Sequence, residues 1–207
     1  MEEQLVALIA RHGQTIANKT ECFRGWIDFP LDDTGIKQAH DAQKFIHKFD
    51  LKYIICSPLC RATVTAEIIA KPHGIPVWQN SGLFPWRIGI FAGQPKEENN
   101  DALRLFVDNP YVRIPGGGES LDEYEERQFS FWKPALEGAR KTGLTLFVAH
   151  TSNVTALVNF TEGAHEIEPE FGDSVKPGGV GAIYWDGKKH RVEPVFGGEE
   201  EACFGGS

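Results

Sequence analysis

Six apolar residues, Leu5 to Ala10, run directly into Arg11-His12-Gly13. Such a run reads as a buried strand, and the glycine after it marks a sharp turn. Arginine and histidine are thereby delivered together at the carboxyl edge of a strand, where open α/β sheets bind ligands. A guanidinium there can clamp an anion, and a neutral imidazole beside it can attack phosphorus. An Arg-His-Gly tripeptide alone arises by chance, so its weight depends on partners elsewhere.

Two partners are present. Tyr53 to Cys56 is a second short strand ending at Ser57-Pro58. A helical run from Leu59 to Ala70 follows, with Ala62, Ala66, Ile69 and Ala70 inward and Arg61 in its first turn. Helix starts favour anions there. Leu144 to Ala149 is a third strand, delivering His150 and Thr151 ahead of a helix from Asn153 to Phe160. Each cation taken alone has a plain explanation, as a solvated helix arginine or a capping histidine. Three strands ending this way are poorly served by three separate explanations.

The rest of the chain alternates strand and helix. Thr34 to Lys48 is an amphipathic helix with Ile36, Ala39, Ala42, Phe45 and Ile46 toward the core. Pro76 to Trp78 is an edge strand. Residues 82–118 are irregular, with one helix over Glu97 to Val107. Leu121 to Lys141 is a long helix with a capping box at Ser120 and Glu123. Val180 to Trp185 and Arg191 to Phe196 form a hairpin about Asp186-Gly187. These elements predict an α/β three-layer sandwich, a mostly parallel central sheet with helices on both faces. A single domain spans residues 1–196, and an acidic, glycine-rich tail, 197–207, is expected to be flexible.

At 207 residues the chain can bury one well-developed core. A net charge of −8 argues against nucleic acid and anionic membranes as partners, and makes a local basic pocket necessary for an anionic substrate. No apolar stretch reaches transmembrane length, and no secretory pattern opens the chain. Cys22, Cys56, Cys60 and Cys203 form no dense framework, so reduced thiols and a cytoplasmic location are expected.

The first motif extends through Thr15, Asn18, Phe23-Arg24-Gly25-Trp26-Ile27-Asp28, Pro30-Leu31 and Gly35. The second continues Ser57-Pro58-Leu59-x-Arg61-Ala62-x-x-Thr65-Ala66-Glu67. Pro115-Gly116-Gly117-Gly118-Glu119-Ser120-Leu121 and Val148-Ala149-His150 follow. Over most of its length the chain resembles the histidine phosphatase superfamily, with its phosphoglycerate mutase-like fold. The resemblance implies that His12 takes the phosphoryl group, that Arg11, Arg61 and His150 surround its oxygens, and that Asn18 adds a hydrogen bond. Thr15 and Thr151 join the phosphate-binding set, and an insertion over 82–118 partly covers the pocket, with Trp86 and Arg87 shaping it. No cofactor and no metal is implied, because guanidinium groups compensate the charge. The expected partner is a small phosphorylated molecule; a homodimer stays open.

One departure from the family matters. Leu83, Gly89 and Gly93 match a segment that usually carries the proton-donating glutamate, but Pro85 stands in the glutamate position, and Thr151 stands where an aspartate could substitute. Three readings remain open. Glu119 reaches the site, as an acid or, preferably, as a residue orienting an arginine. The substrate has an acidic leaving group. Or the pocket chiefly binds phosphate with feeble catalysis. A phosphomonoester hydrolase working through phosphohistidine is favoured over a mutase-type phosphotransferase, since Leu103 to Arg113 offers only Arg104 and Arg113 as extra anion binders.

Overall fold

The computed structural model describes residues 3–162 and 176–197. Six strands, β1 (Gln4–Arg11), β2 (Tyr53–Cys56), β3 (Val77–Gln79), β4 (Thr145–Ala149), β5 (Val180–Trp185) and β6 (His190–Phe196), form a sheet of order β3-β2-β4-β1-β5-β6. Neighbours from β3 to β1 pair parallel; β5 and β6 pair antiparallel and complete that edge. The helices are α1 (Ile16–Lys19), α2 (Asp33–Ile46), α3 (Cys60–Ala70), α4 (Lys96–Asp108), α5 (Leu121–Thr142) and α6 (Thr151–Glu162).

Burial on both faces explains why β1 reads as a continuous apolar run instead of an alternating one. Leu8 and Ala10 point to the layer of α2 and α3, packing with Ala42, Ile46, Ala62, Ala66 and Ile69. Ala7 and Ile9 point to the layer of α5 and α6, packing with Trp132, Leu136 and Leu157. A third cluster, Phe23, Trp86, Ile88, Phe91, Leu103, Ile114 and Tyr124, joins the 82–118 stretch to the start of α5.

The expected elements are present with boundaries shifted by one or two residues. The helix predicted from Glu97 to Val107 runs from Lys96 to Asp108. The capping box forms: Ser120 Oγ accepts from Glu123 N at 3.1 Å, and Glu123 Oε2 accepts from Ser120 N at 2.9 Å. The last helix begins at Thr151, two residues before its predicted start, so Thr151 and Ser152 belong to a helix amino end. Residues 198–207 of the predicted tail lie outside the described residues. Among the described residues, no helix is long and apolar enough to cross a membrane.

Register decides where the chemistry gathers. Arg11 lies opposite Ala149, and Cys56 lies opposite Val148. His12 and His150, which follow the first pair, therefore leave adjacent strands at one level, and Ser57, which follows the second, leaves β2 one residue short of it.

Candidate active site

His12 is held from several sides. Its backbone N–H donates to Ala149 O at 3.0 Å. Its Nδ1 lies 2.7 Å from Gly13 O. A carbonyl only accepts, so Nδ1 carries the proton and the neutral ring keeps its lone pair on Nε2. Gly13 N donates to Thr65 Oγ1 at 3.1 Å, and that hydroxyl donates to Arg61 O at 2.8 Å. The need for glycine at position 13 is steric: a Cβ there would sit 2.3 Å from Gly35 O. Close approach of α2, beyond the turn predicted from sequence, excludes any side chain.

His150 stands beside His12, ring centroids 5.1 Å apart at 61°. Arg61 Nε donates to His150 Nδ1 at 3.2 Å, and His150 Nε2 lies 2.8 Å from Ser57 Oγ. A guanidinium nitrogen only donates, so neutral His150 carries its proton on Nε2 and gives it to Ser57. Arg61 is 1 % exposed. It also donates from Nη1 to Ile27 O at 2.8 Å and from Nη2 to Gly25 O at 3.0 Å. The start of α3, expected from sequence to favour a ligand anion, holds a protein carboxylate: both oxygens of Asp28 accept from Cys60 N at 2.9 Å.

A cavity of about 690 Å³ opens on this cluster. His12, Arg61, His150, Arg24, Pro85, Trp86 and the α6 residues Thr151 and Ser152 line it, together with the exposed Glu21, Glu97 and Asn100 and the half-buried Lys96. Thr151 Oγ1 is buried with no hydrogen-bond partner among the described residues. A helix amino end with a hydroxyl to spare is an anion-binding arrangement. Burial, then the charges of Arg61, Arg11 and Arg24, hold His12 well below the usual imidazole range, against a smaller upward pull from the Gly13 carbonyl. Burial, then Arg61, His12, Arg24 and Arg11, does the same to His150. Both imidazoles are thus neutral, and the nucleophilic form of His12 persists despite its cationic surroundings.

The remaining site candidates fall elsewhere. Arg11 is buried and acts on His12 through its charge, but does not line the cavity wall. Neither Thr15 nor Asn18 lines it: Asn18 Oδ1 accepts Thr15 N at 3.1 Å and Thr15 Oγ1 at 2.9 Å, which shapes the turn into α1 and leaves Nδ2 as the donor end of Asn18. Arg87 is exposed, its guanidinium 4.9 Å from the Trp26 ring, and it does not line the cavity. Trp86 is 3 % exposed and serves both cavity wall and core.

Glu119 is engaged away from His12. Arg127 donates from Nε to Oε1 at 2.9 Å and from Nη2 to Oε2 at 2.8 Å, and Arg87 N donates to Oε2 at 3.1 Å. Arg127 in turn donates to the carbonyls of Gly82, Phe84 and Pro85 at 3.3, 3.0 and 3.2 Å. Glu119 therefore orients the arginine that holds the Pro85 loop, and it does not line the His12 cavity. Trp26 Nε1 donates to Pro85 O at 2.9 Å and fixes the loop from the other side.

Arg24, Ser57, Ser152 and Lys96 enter the site without having been singled out for a role in sequence. Arg24 and Ser57 lay inside motif segments. Their signal was present, but an arginine in a turn-rich loop and a serine before proline each have ordinary explanations. Arg104 and Arg113 do not line the cavity; Arg113 pairs with Glu123 at 3.1 Å.

Residues 7–194 match the sequence profile of the histidine phosphatase superfamily (branch 1). The chain is 31 % identical over 172 residues to a 2,3-bisphosphoglycerate-dependent phosphoglycerate mutase of Cytophaga hutchinsonii, covering 80 % of this chain and 79 % of that one. It is 30 % identical over 155 residues to the uncharacterized phosphatase PhoE of Bacillus subtilis, covering 75 % and 76 %. In fold it is similar to the alpha-ribazole phosphatase of Shigella flexneri, with a TM-score of 0.78 at 21 % identity over 97 % of this chain and 99 % of that one.

Proposed function

This chain belongs to the histidine phosphatase superfamily, and on that premise we propose that it hydrolyses small phosphomonoesters through a phosphohistidine on His12. The observation that carries this reading is the state of His12: a buried imidazole whose Nδ1 proton is committed to Gly13 O, leaving Nε2 as the nucleophile on a cavity lined by Arg24, Arg61 and His150.

In the first step Nε2 attacks phosphorus, a P–N bond forms, and the P–O bond to the leaving group breaks with its electron pair on oxygen. Arg61, the α6 amino end and the charge of Arg11 compensate the transferring oxygens, so no metal is needed for charge balance. His150, fixed by Arg61 and Ser57, donates into the same network. In the second step water attacks phosphorus, the P–N bond breaks, and His12 returns neutral with inorganic phosphate released. Pro85 has no proton for the leaving oxygen, so substrates whose leaving group is stable as an anion are favoured. A reducing, cytoplasmic setting fits the free thiols of Cys22, Cys56 and Cys60.

Brief incubation with a labelled phosphodonor is expected to give an acid-labile, base-stable adduct that releases phosphate to water and is lost in His12→Ala. Saturable binding with neither adduct nor turnover would make the chain a phosphate-binding module instead. The likeness to a mutase favours a second reading, transfer to an acceptor hydroxyl. Partition of the label between phosphate and an added acceptor alcohol separates the two. Hydrolysis is preferred because Arg104 and Arg113, the extra cations of the 103–113 stretch, do not line the cavity.

A further inference from the structure

Gly13 O, which accepts the His12 Nδ1 proton at 2.7 Å, belongs to the peptide unit joining residues 13 and 14. The N–H of that same unit, on Gln14, donates to Gln38 Oε1 at 2.8 Å. An amide N–H only donates, so the atom of the Gln38 side chain that faces it is the oxygen. Gln38 stands on α2, is 9 % exposed and does not line the cavity. The amino end of α2 is fitted to this peptide. Asp32, its cap, donates from N to Gln14 O at 3.0 Å and accepts from Gly35 N at 2.8 Å. A Cβ at Gly35 would sit 2.1 Å from Gln14 O, so the helix comes this close only because residue 35 has no side chain. Three residues further on, Gln38 brings its acceptor to the same place.

The bonds form a line: from the Gln14 N–H to Gln38 Oε1, and across the same amide from the His12 Nδ1–H to Gly13 O. An acceptor on the N–H of an amide pushes electron density toward its carbonyl oxygen, which strengthens the bond that oxygen accepts. The anchor also stops the peptide from turning its carbonyl away from the ring. We propose that Gln38 is a positioning residue for the nucleophile: acting through the 13–14 peptide, it keeps the His12 proton on Nδ1 and the lone pair on Nε2. A carboxylate bonded directly to Nδ1 would hold the same tautomer, but its charge would cancel part of the cationic field that the phosphoryl oxygens need. A neutral amide working through a peptide leaves that field intact. The effect of Gln38 on rate rests on the hydrolase reading; its effect on the His12 tautomer does not.

Nitrogen-15 NMR of the imidazoles reads the tautomer directly, without substrate, with the His12 signals assigned by their absence in His12→Ala. Wild-type His12 is expected almost wholly in the Nδ1-protonated form. Gln38→Met, of similar length but with no acceptor oxygen, and Gln38→Asn, too short to reach, should each move a measurable share of His12 to the Nε2-protonated form. Both should slow formation of the phosphohistidine by about tenfold or more. Calorimetric binding of inorganic phosphate should stay within about twofold of wild type, since Gln38 does not line the cavity. Gln38→Glu keeps an acceptor oxygen and should keep the wild-type tautomer. An unchanged tautomer in Gln38→Met and Gln38→Asn, or phosphate binding lost in step with adduct formation, overturns the assignment; if one of the two variants fails to fold, the other decides. A wild type that forms no adduct would refute the hydrolase reading and leave the tautomer comparison to decide the role of Gln38.

Discussion

His12 and His150 are both driven toward neutrality, with burial as the larger cause and arginine charges as the second. Their imidazole resonances are expected to titrate well below the ordinary value near 6.5. NMR titration checks this, and a His12 midpoint at or above 6.5 would contradict the lone pair on which the chemistry depends. Pro85 carries the complementary prediction. General acid catalysis contributes roughly 100- to 10,000-fold, so turnover of p-nitrophenyl phosphate should exceed that of an alkyl phosphate. Pro85→Glu should narrow that gap by raising alkyl turnover about tenfold or more, since the Pro85 carbonyl that Trp26 and Arg127 hold is retained. Equal rates on both substrates in the wild type would remove the reason to regard Pro85 as a missing acid. His12 and His150 were legible in sequence because each follows a strand, and Arg61 because it opens the helix after one; Arg24 was not, because its surroundings are set by what meets it in space.

At the scale of elements, the loop over 82–87 is held by the start of α5. Arg127, one-quarter exposed, pairs in bidentate fashion with Glu119 and reaches three carbonyls of that loop. Loss of this network in Arg127→Ala is expected to cost about 2 kcal/mol of stability, read from urea denaturation, and to raise KM through a loosened Trp86 wall. Glu119→Gln should slow aryl and alkyl phosphates by the same factor. A selective loss on alkyl phosphates would restore Glu119 as a proton donor. The capping box at Ser120 could be read from spacing, because a cap is decided within four residues. The Glu119–Arg127 pair could not, since glutamates at 123, 125 and 126 offered equally plausible local partners. Only packing of α5 against the loop selects one.

For the whole molecule, two neutral imidazoles in the fold face an unfolded chain whose histidines bind protons near pH 6.5. The unfolded state then holds more protons, so stability is fully present above that pH and declines as pH falls below it. Each buried histidine adds a slope of up to about 1.4 kcal/mol per pH unit. Urea midpoints between pH 7.5 and 5 should fall in the wild type and fall less in a His12→Gln, His150→Gln double variant; identical slopes would place the proton uptake elsewhere, on His73 or His190, whose burial shifts them in the same direction. The sequence by itself determined the order of strands and helices, the cations at their ends and the family they imply, because hydrophobic period, turn residues and motif spacing are local. Tertiary structure decided that register sets His12 and His150 level on adjacent strands, that Asp28 occupies the α3 amino end, that Glu119 serves Arg127, and that the Arg24 side chain lines the cavity. Pairing and desolvation depend on which groups meet across the fold, and no spacing along the chain encodes that.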